Sequence, residues 1–375
     1  MRGLFIYYKK IDKNKLTGID KKVLWQVEEF NKDGITCELI SNCYDGKSKI
    51  RKLANLILAR IPCGNANPRW KWDEKYKGID YIYFRRPDAI TKPLLKFLRK
   101  IKEENQNIKV VMEIPNFPYD QELGLSLINK PLLIKDRFNR MKLRKYVDKI
   151  AVQNNIDKIY GIQTLCFTNG IKIDEIKIRR PENYSYDEKI NICAVASLEP
   201  WQGYERIIRG LSDYYNNGGK REININIAGS GSELEFYKNM VKENNLSERI
   251  KFWGRLSKDK LEKVYNESDL ALDAFGRYKT GNILSTSLKS REYLAKGLPI
   301  ITGCKTDILT DNFKYYIEFP NDSSNISFET IVSFYDELYK NKNKRELIKE
   351  IREYAKSKCD ISKMVKPVKD YLLDV

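Results

Sequence analysis

Histidine is absent from this 375-residue sequence. Its absence removes the commonest general base, the commonest zinc ligand and every Ser-His or Cys-His nucleophilic arrangement. Any catalysis by this chain must therefore use carboxylates, hydroxyls, cations or the substrate itself.

Long apolar runs are missing as well, since no stretch approaches the roughly 18 to 20 residues that a membrane-spanning helix needs. The first residues, MRGLFIYYKKIDK, become charged after a few apolar positions, so we interpret them as a β-strand and not as a signal peptide. The seven cysteines form no C-x-x-C pair, and their odd number argues against a disulfide framework. These features predict a cytoplasmic protein.

The net charge of +18 is distributed unevenly. Residues 1–180 hold 38 Lys and Arg against 21 Asp and Glu, net +17, whereas residues 181–375 hold 31 against 30, net +1. A compositional bias of the genome would act on both halves alike. The asymmetry instead indicates that the first half meets an anionic surface, either phospholipid headgroups or nucleic acid.

The order of apolar runs predicts an α/β protein with two domains, 1–180 and 181–375. Short strands alternate with amphipathic helices in the first half, and the pattern restarts after a polar, proline-containing linker at residues 176–189. Each half therefore reads as a parallel, doubly wound sheet. We expect most of the helical segment from residue 331 onwards to cover the second domain. The predicted strands of the first half are 4–8, 36–40, 81–84, 109–113, 149–152 and 166–168, and those of the second are 190–197, 223–228, 250–253, 270–273 and 299–302.

Four ordered segments carry a family resemblance: IQTLCFTNGIKIDEI, VASLEPWQGYERIIRGL, IAGSGSELEFYKNMVKENNLSERIKFWGRLSKDKLEKVYNESDLAL and LKSREYLAKGLPIITG. In this order they resemble glycosyltransferase family 4 and related enzymes of capsular and exopolysaccharide clusters. The resemblance implies the GT-B architecture, in which two Rossmann-like domains face each other across a cleft, with C-terminal helices. It also implies a nucleotide-diphosphate sugar as donor substrate, no cofactor and no metal, and a retaining transfer.

The resemblance places the donor site at the carboxyl ends of the second domain's strands. The loop 281–287 opens the helix that carries Glu292, so backbone N–H groups and the helix dipole are expected to hold the diphosphate. Glu292 matches the glutamate that binds the ribose, and the segment 254–256 matches the position where the main chain reads the base. Glycine turns after the second strand would let the backbone approach the ligand, although Gly229 has an alternative reading as a simple turn. The predicted donor-binding residues are Gly229, Gly231, Arg255, Leu256, Asn282, Ser285, Thr286, Ser287 and Glu292.

The chain departs from the family pattern at three charged positions. The usual G-R-x-x-x-x-K-G segment is replaced by residues 196–203, ASLEPWQG, which lack both cations, and the first glutamate of the E-x7-E pair is replaced by Leu284. Arg277, Lys279 and Lys289 are the candidate replacements for stabilising the leaving diphosphate, and of these Arg277 and Lys289 are the predicted catalytic cations. The alternative is a catalytically silent subunit that supports a partner glycosyltransferase.

The first half is predicted to bind a lipid-linked or glycan acceptor. Glu113 and Asp120 are the candidates for orienting the acceptor hydroxyl or acting as base, and a purely structural role for such an acid at a strand end is the alternative. The other predicted acceptor-side residues are Lys9, Lys10, Gly18, Arg85, Arg86, Asn116 and Tyr119.

Residues 130–149, KPLLIKDRFNRMKLRKYVDK, combine apolar side chains with eight Lys or Arg. This composition suits a helix in an anionic membrane interface, and the alternative is a basic helix whose apolar side packs on the sheet. No recognised nucleic-acid-binding module is present, which argues against nucleic acid as the partner. We therefore predict a peripheral position at the inner face of the membrane.

Overall fold

A computed structural model describes the chain except for residues 13–15, 42–53, 55–56, 59, 62–69, 71, 121–123, 125–126, 154, 311, 341 and 375. The strands are β1 Arg2–Tyr7, β2 Thr36–Ser41, β3 Tyr81–Arg85, β4 Lys109–Ile114, β5 Lys149–Val152, β6 Lys158–Ile159, β7 Ile162–Cys166, β8 Ile190–Val195, β9 Ile223–Ala228, β10 Ile250–Gly254, β11 Leu270–Leu272, β12 Leu284–Ser285, β13 Ile300–Thr302, β14 Lys305–Thr306 and β15 Tyr316–Glu318. The helices are α1 Gly18–Phe30, α2 Lys92–Glu104, α3 Lys130–Arg140, α4 Glu205–Asn216, α5 Leu234–Glu243, α6 Lys258–Glu267, α7 Leu288–Lys296, α8 Phe328–Tyr339, α9 Lys344–Cys359 and α10 Ile361–Leu373.

The chain divides into two compact units. Unit 1 contains Met1–Gly170 and Ile361–Val375, and unit 2 contains Ile171–Asp360. The sequence-based division at residue 180 therefore differs from the observed one in two respects: the units part at residue 170, and the end of the chain returns to unit 1.

Unit 1 is built on a seven-stranded sheet with the order β2-β1-β3-β4-β5-β7-β6. Neighbouring strands are parallel except for β6 and β7, which form an antiparallel hairpin. The central strand β3 is buried at all five positions, as expected for a parallel sheet covered on both faces. Helix α1 begins with a capping box, in which Thr17 and Asp20 satisfy each other's backbone N–H groups.

Unit 2 is built on a six-stranded parallel sheet with the order β10-β9-β8-β11-β13-β15. Relative to the first strand of this unit the order is 3-2-1-4-5-6, the doubly wound arrangement with a reversal between β8 and β11. A small parallel pair, β12 with β14, lies outside this sheet. The predicted α/β class with two parallel sheets and C-terminal helices is confirmed.

One sequence-based expectation about elements is wrong, and a second holds for α8 and α9 but not for α10. The strand expected at 166–168 is β7, which starts four residues earlier because Tyr160 and Gly161 have φ values of 54° and 79° and form a tight hairpin turn after β6. The C-terminal helices do not all cover the second sheet, since α10 packs against α1 of unit 1. There Lys369 forms ion pairs with Asp33 and with Glu29, the latter at 3.7 Å.

Candidate functional site

The reversal of strand order in unit 2 brings two loops together. The loop after β8 and the loop after β11 are joined by backbone hydrogen bonds from Phe275 N to Gln202 O, at 2.7 Å, and from Gly276 N to Trp201 O, at 3.3 Å. Gly203 has a φ of 65°, and a Cβ atom there would lie 2.3 Å from Gly276 N. A glycine is therefore required at this position for the two loops to meet. In open α/β sheets such a reversal point is where ligands bind.

Helix α7 starts at this junction. Ser287 is its N-cap and accepts a hydrogen bond from Ser290 N at 3.2 Å. The Ser287 hydroxyl also donates to Oδ1 of Asp273, at 3.1 Å. Asp273 follows β11 directly and is completely buried. Its Oδ2 atom has no hydrogen-bond partner within the described part of the chain, so a buried polar atom at the site is left to be satisfied.

Lys289 lies in the first turn of α7 and points into the same cluster. Its ammonium donates to Gln202 Oε1 at 2.6 Å and to the Tyr204 hydroxyl at 3.2 Å, and it lies 3.4 Å from Asp273 Oδ1. Burial lowers the pKa of Lys289 to about 8, with the Asp273 carboxylate opposing and the Arg277 guanidinium reinforcing the shift. An anion arriving at this ammonium would therefore restore its ordinary affinity for a proton.

Arg277 lies on the 3-10 turn Arg277–Thr280. It is close enough to act electrostatically on Lys289, Tyr204 and Cys304. Its Nε atom is buried and makes no hydrogen bond to any described residue. Arg277 and Lys289, two of the three candidate replacements for the cations missing from the family pattern, are thus brought together beside the α7 N-terminus. Lys279 is not part of this pair, because its ammonium is bound by Glu205 at 2.5 Å.

A buried ion pair between Arg291 and Asp307 holds the first turn of α7 in place. Arg291 is completely buried and donates to the Ser287 carbonyl at 3.0 Å and to Asp307 Oδ2 at 2.5 Å. Sequence reasoning missed Asp273, Arg291 and Asp307. Only Asp273 had a usable signal, namely its place directly after a strand at the reversal of strand order.

The predicted glycines after β9 lie where two loops pack closely on each other. Gly229 has a φ of 143°, and a Cβ atom there would lie 1.8 Å from Ala196 O; a Cβ at Gly231 would lie 2.2 Å from Leu198 O. Close packing of the β8 and β9 loops on each other therefore explains both glycines without a ligand. Their part in donor binding stays a prediction.

The remaining predicted donor residues surround the α7 N-terminus or the end of β10. Arg255 is exposed and donates to the Ser230 hydroxyl at 2.9 Å, and Leu256, the next residue, is half-buried. Asn282 donates to the Thr280 hydroxyl at 2.8 Å. The Ser285 hydroxyl is buried and has no partner among the described residues.

Two further predicted donor residues, Thr286 and Glu292, are half-buried. Glu292 lies on α7, near enough to Tyr265 that its charge, after burial, raises the pKa of that hydroxyl. Thr286 directly precedes the N-cap of α7, and Glu292 lies in the second turn of this helix.

In unit 1, Glu113 is completely buried at the end of β4. Its carboxylate accepts from Lys22 Nζ at 2.9 Å, Gln26 Nε2 at 3.1 Å, the Tyr83 hydroxyl at 2.7 Å and the Arg85 guanidinium. Burial alone would raise the pKa of Glu113, but Lys22 and Arg85 lower it to about 2. So strongly stabilised a carboxylate is a poor general base, which favours the structural alternative for Glu113.

Asp120 and Tyr119 are also bound within the protein. Asp120 accepts from Arg140 at 2.5 Å and from Arg137 at 2.8 Å, and these cations outweigh burial and lower its pKa. The Tyr119 hydroxyl is buried and donates to Asp136 at 2.9 Å, while the Arg86 guanidinium stacks 3.9 Å from its ring centroid. These contacts do not suit the expected roles of Asp120 as base and of Tyr119 as a contact to an acceptor.

The other predicted acceptor-side residues lie at or just after the carboxyl ends of β1, β3 and β4, or begin α1. Lys9, Lys10, Gly18 and Asn116 are exposed. Arg85 is 8 % exposed and forms an ion pair with Glu113.

No cluster of three or more Cys, Asp or Glu side chains placed to hold a metal ion occurs among the described residues.

Comparisons with known proteins agree with this geometry. Residues 175–358 match the sequence profile of the family described as glycosyl transferases group 1. No curated protein sequence shows significant similarity to the chain.

Similar solved structures cover both units. The lipopolysaccharide outer core galactosyltransferase WaaB in its apo form has a TM-score of 0.60 at 13% identity, covering 100% of this chain and 99% of its own. Anabaena Alr3699/HepE in complex with UDP has a TM-score of 0.59 at 12% identity, and sucrose-phosphate synthase from Thermosynechococcus elongatus has 0.66 at 12%, each covering 100% of both chains. The chain therefore has the GT-B fold, and residues 175–358 form a domain of the glycosyl transferases group 1 family.

Proposed function

We propose that this protein transfers a sugar from a nucleotide-diphosphate sugar to a lipid-linked or polysaccharide acceptor in the biosynthesis of a cell-surface polysaccharide such as a capsule. The observation that carries the proposal is the meeting of Lys289, Arg277 and the N-terminus of α7 at the strand-order reversal of unit 2. This is an anion site made of one helix dipole and two cations.

The chemistry of the site matches the needs of glycosyl transfer. As the bond between sugar and diphosphate breaks, negative charge grows on the departing diphosphate, and fixed positive groups lower the energy of that state. Lys289 and Arg277 supply this charge from the protein, so we propose a metal-independent transfer. From the family resemblance we also propose that the transfer retains configuration. Asp273 Oδ2 is a free acceptor for a donor hydroxyl beside the same cations.

The names of similar structures support a uridine nucleotide as the first donor to test. Alr3699/HepE has been solved with UDP, with UDP and glucose, and with UDP-glucose. We propose that the donor of this chain belongs to the same chemical class.

The location proposed is cytoplasmic and peripheral to the membrane. No described helix combines the length and hydropathy needed to cross a bilayer. Unit 1 carries 37 Lys and Arg against 21 Asp and Glu, net +16, and unit 2 carries 32 against 30, net +2. The charge asymmetry thus follows the units, and it supports contact between unit 1 and anionic lipid.

The direct test is a thermal-shift series with UDP, GDP, ADP and TDP, with uridine and free sugars as controls. A nucleoside diphosphate at 100 times its dissociation constant adds about 2.7 kcal/mol to the free energy of unfolding, whereas a free base or sugar lacks the diphosphate contacts and adds little. If none of the four diphosphates raises the melting temperature, the alternative of a catalytically silent GT-B subunit is favoured.

A further inference from the structure

Helix α3 is oriented opposite to an ordinary surface helix. Its buried residues are polar: Lys135 is 9 % exposed, Asp136 0 % and Asn139 4 %. Of its four large apolar residues, Ile134 and Phe138 face outward, with 55 % and 75 % exposed, while Leu132 and Leu133 are half-buried. A helix on a soluble protein normally shows the reverse pattern.

Specific contacts hold the polar side of α3 inward. Asp136 accepts hydrogen bonds from Ile90 N at 2.7 Å and from the Tyr119 hydroxyl at 2.9 Å. One turn later, Arg140 donates to Asp120 at 2.5 Å. Turning the helix over would strip a buried carboxylate of these donors, which is costly. The outward position of Ile134 and Phe138 is therefore fixed by the packing beneath them.

The exposed apolar surface extends beyond the helix. We use the term apolar face for Leu127, Ile128, Ile134, Phe138 and Met141, whose exposed fractions run from 49 % to 75 %. Arg60 donates to Ile128 O at 3.1 Å and to Asn129 Oδ1 at 3.0 Å. It thereby joins the apolar face to a second segment with three more exposed apolar residues, Ile57, Leu58 and Ile61. A monomeric soluble protein rarely exposes so many neighbouring large apolar side chains without using them for binding.

The exposed charges between residues 127 and 147 are all positive, and Arg137 among them is paired with Asp120. The only acid between residues 127 and 147 is Asp136, which is buried. The exposed cations in this stretch are Lys130, Arg137, Lys142, Arg144 and Lys145. Apolar side chains mixed with cations match the boundary between acyl chains and phosphate headgroups of an anionic bilayer, where both kinds of group find partners.

We infer that the apolar face is the membrane-docking surface of this protein, with Phe138 and its apolar neighbours inserted at the headgroup boundary and the surrounding cations against lipid phosphates. This rests on the proposed peripheral location and identifies the surface responsible for it. Docking here needs neither donor nor acceptor, so it can be measured separately from sugar transfer.

The test uses the full chain and sedimentation with vesicles of phosphatidylglycerol and phosphatidylethanolamine. Phe138→Ser is expected to weaken vesicle binding about tenfold or more, because the aromatic ring no longer leaves water. Phe236→Ser is the matched control, since Phe236 is a 49 % exposed phenylalanine on helix α5 of unit 2. It is expected to bind vesicles like the unchanged protein.

A second pair of variants tests the charges. Lys142→Glu is expected to weaken binding at least fivefold, a factor of about five being the effect of losing one cation near an anionic surface. Lys258→Glu, an exposed lysine at the start of α6 in unit 2, is expected to have little effect. Binding should also fall with added salt and be weak on phosphatidylcholine vesicles.

The inference is overturned if Phe138→Ser binds vesicles as well as Phe236→Ser does, or if neutral vesicles bind equally well. It is also overturned if light scattering shows a dimer that Phe138→Ser converts to a monomer, because a second copy then covers the face. Melting temperatures with and without UDP are measured on every variant. An unchanged UDP shift beside lost vesicle binding separates failure of docking from failure of the donor site.

Discussion

Individual residues decide whether the donor site of unit 2 is catalytic. Family members place two cations directly after the first strand of this domain, whereas this chain has residues 196–203, ASLEPWQG, at that position. The structure gathers Arg277 and Lys289 beside the α7 N-terminus instead. We therefore propose that the positive charge at the site is relocated along the chain.

If these cations stabilise the departing diphosphate, Arg277→Ala and Lys289→Ala should each lower turnover by about two orders of magnitude, with a smaller effect on donor binding. Glu292→Ala should mainly weaken donor binding, because a ribose contact is made equally before and during the reaction. Donor hydrolysis measures all three where no acceptor is at hand. Full activity in both cation variants would refute the relocation.

The pKa of Lys289 predicts a pH dependence of donor binding. In the free protein burial lowers this pKa to about 8, so above that pH the side chain is neutral, and a bound diphosphate must draw a proton onto it. The affinity for UDP should therefore be steady below pH 8 and fall as the pH rises above it, by up to about tenfold per pH unit.

Calorimetry at pH 9 in buffers of different ionisation enthalpy should detect this proton uptake. Lys289→Arg is the control, because a guanidinium stays protonated throughout this range. Equal proton uptake by Lys289→Arg and the unchanged protein would exclude Lys289 as the titrating group.

At the scale of elements, the site depends on how closely loops approach at the reversal of strand order. Gly203 and Gly254 have almost the same positive φ, 65° and 63°. A Cβ atom at Gly203 would lie 2.3 Å from Gly276 N, while at Gly254 no atom lies within 4 Å. An alanine at Gly254 therefore introduces backbone strain alone, whereas an alanine at Gly203 adds a steric clash to the same strain.

Gly254→Ala should lower the free energy of unfolding by about 1 to 2 kcal/mol, the cost of a left-handed alanine. Gly203→Ala should cost clearly more, because the loop after β8 must also move away from the loop after β11. It should abolish the UDP-induced melting shift as well. Urea unfolding of both variants gives the comparison, and equal costs would mean that the two loops separate easily.

At the scale of the whole molecule, the end of the chain belongs to unit 1. Val368 and Leu372 of α10 are at most 1 % exposed, and Lys369 on the same helix is paired with Asp33. The stability of unit 1 therefore depends on residues that follow unit 2 in sequence.

Val368→Asp buries a charge without a partner and should loosen α10 from α1. Hydrogen exchange is expected to accelerate in residues 18–30 and to stay unchanged in the strands β8, β9 and β11 of unit 2. Lys366→Ala, an exposed change on the same helix, is the control. Equal acceleration in both units would show that they unfold together.

The sequence by itself determined the α/β class, the two parallel sheets and most strands of unit 2, because buried parallel strands are continuous apolar runs between helices and polar turns. It also singled out Arg277 and Lys289, since the cations missing from a recognisable pattern had to be sought nearby along the chain. These are local properties, readable from short stretches of residues.

Only the tertiary structure decided the rest. Lys22, Gln26 and Arg85, distant from Glu113 in sequence, saturate that carboxylate in space and make it a poor base. Likewise, the residue pattern of α3 allowed either side of the helix to be buried. The polar side is buried because Ile90 and Tyr119 donate hydrogen bonds to Asp136. The sequence shows which residues are charged or apolar, but the cost of burying a polar group depends on partners that only the fold brings together.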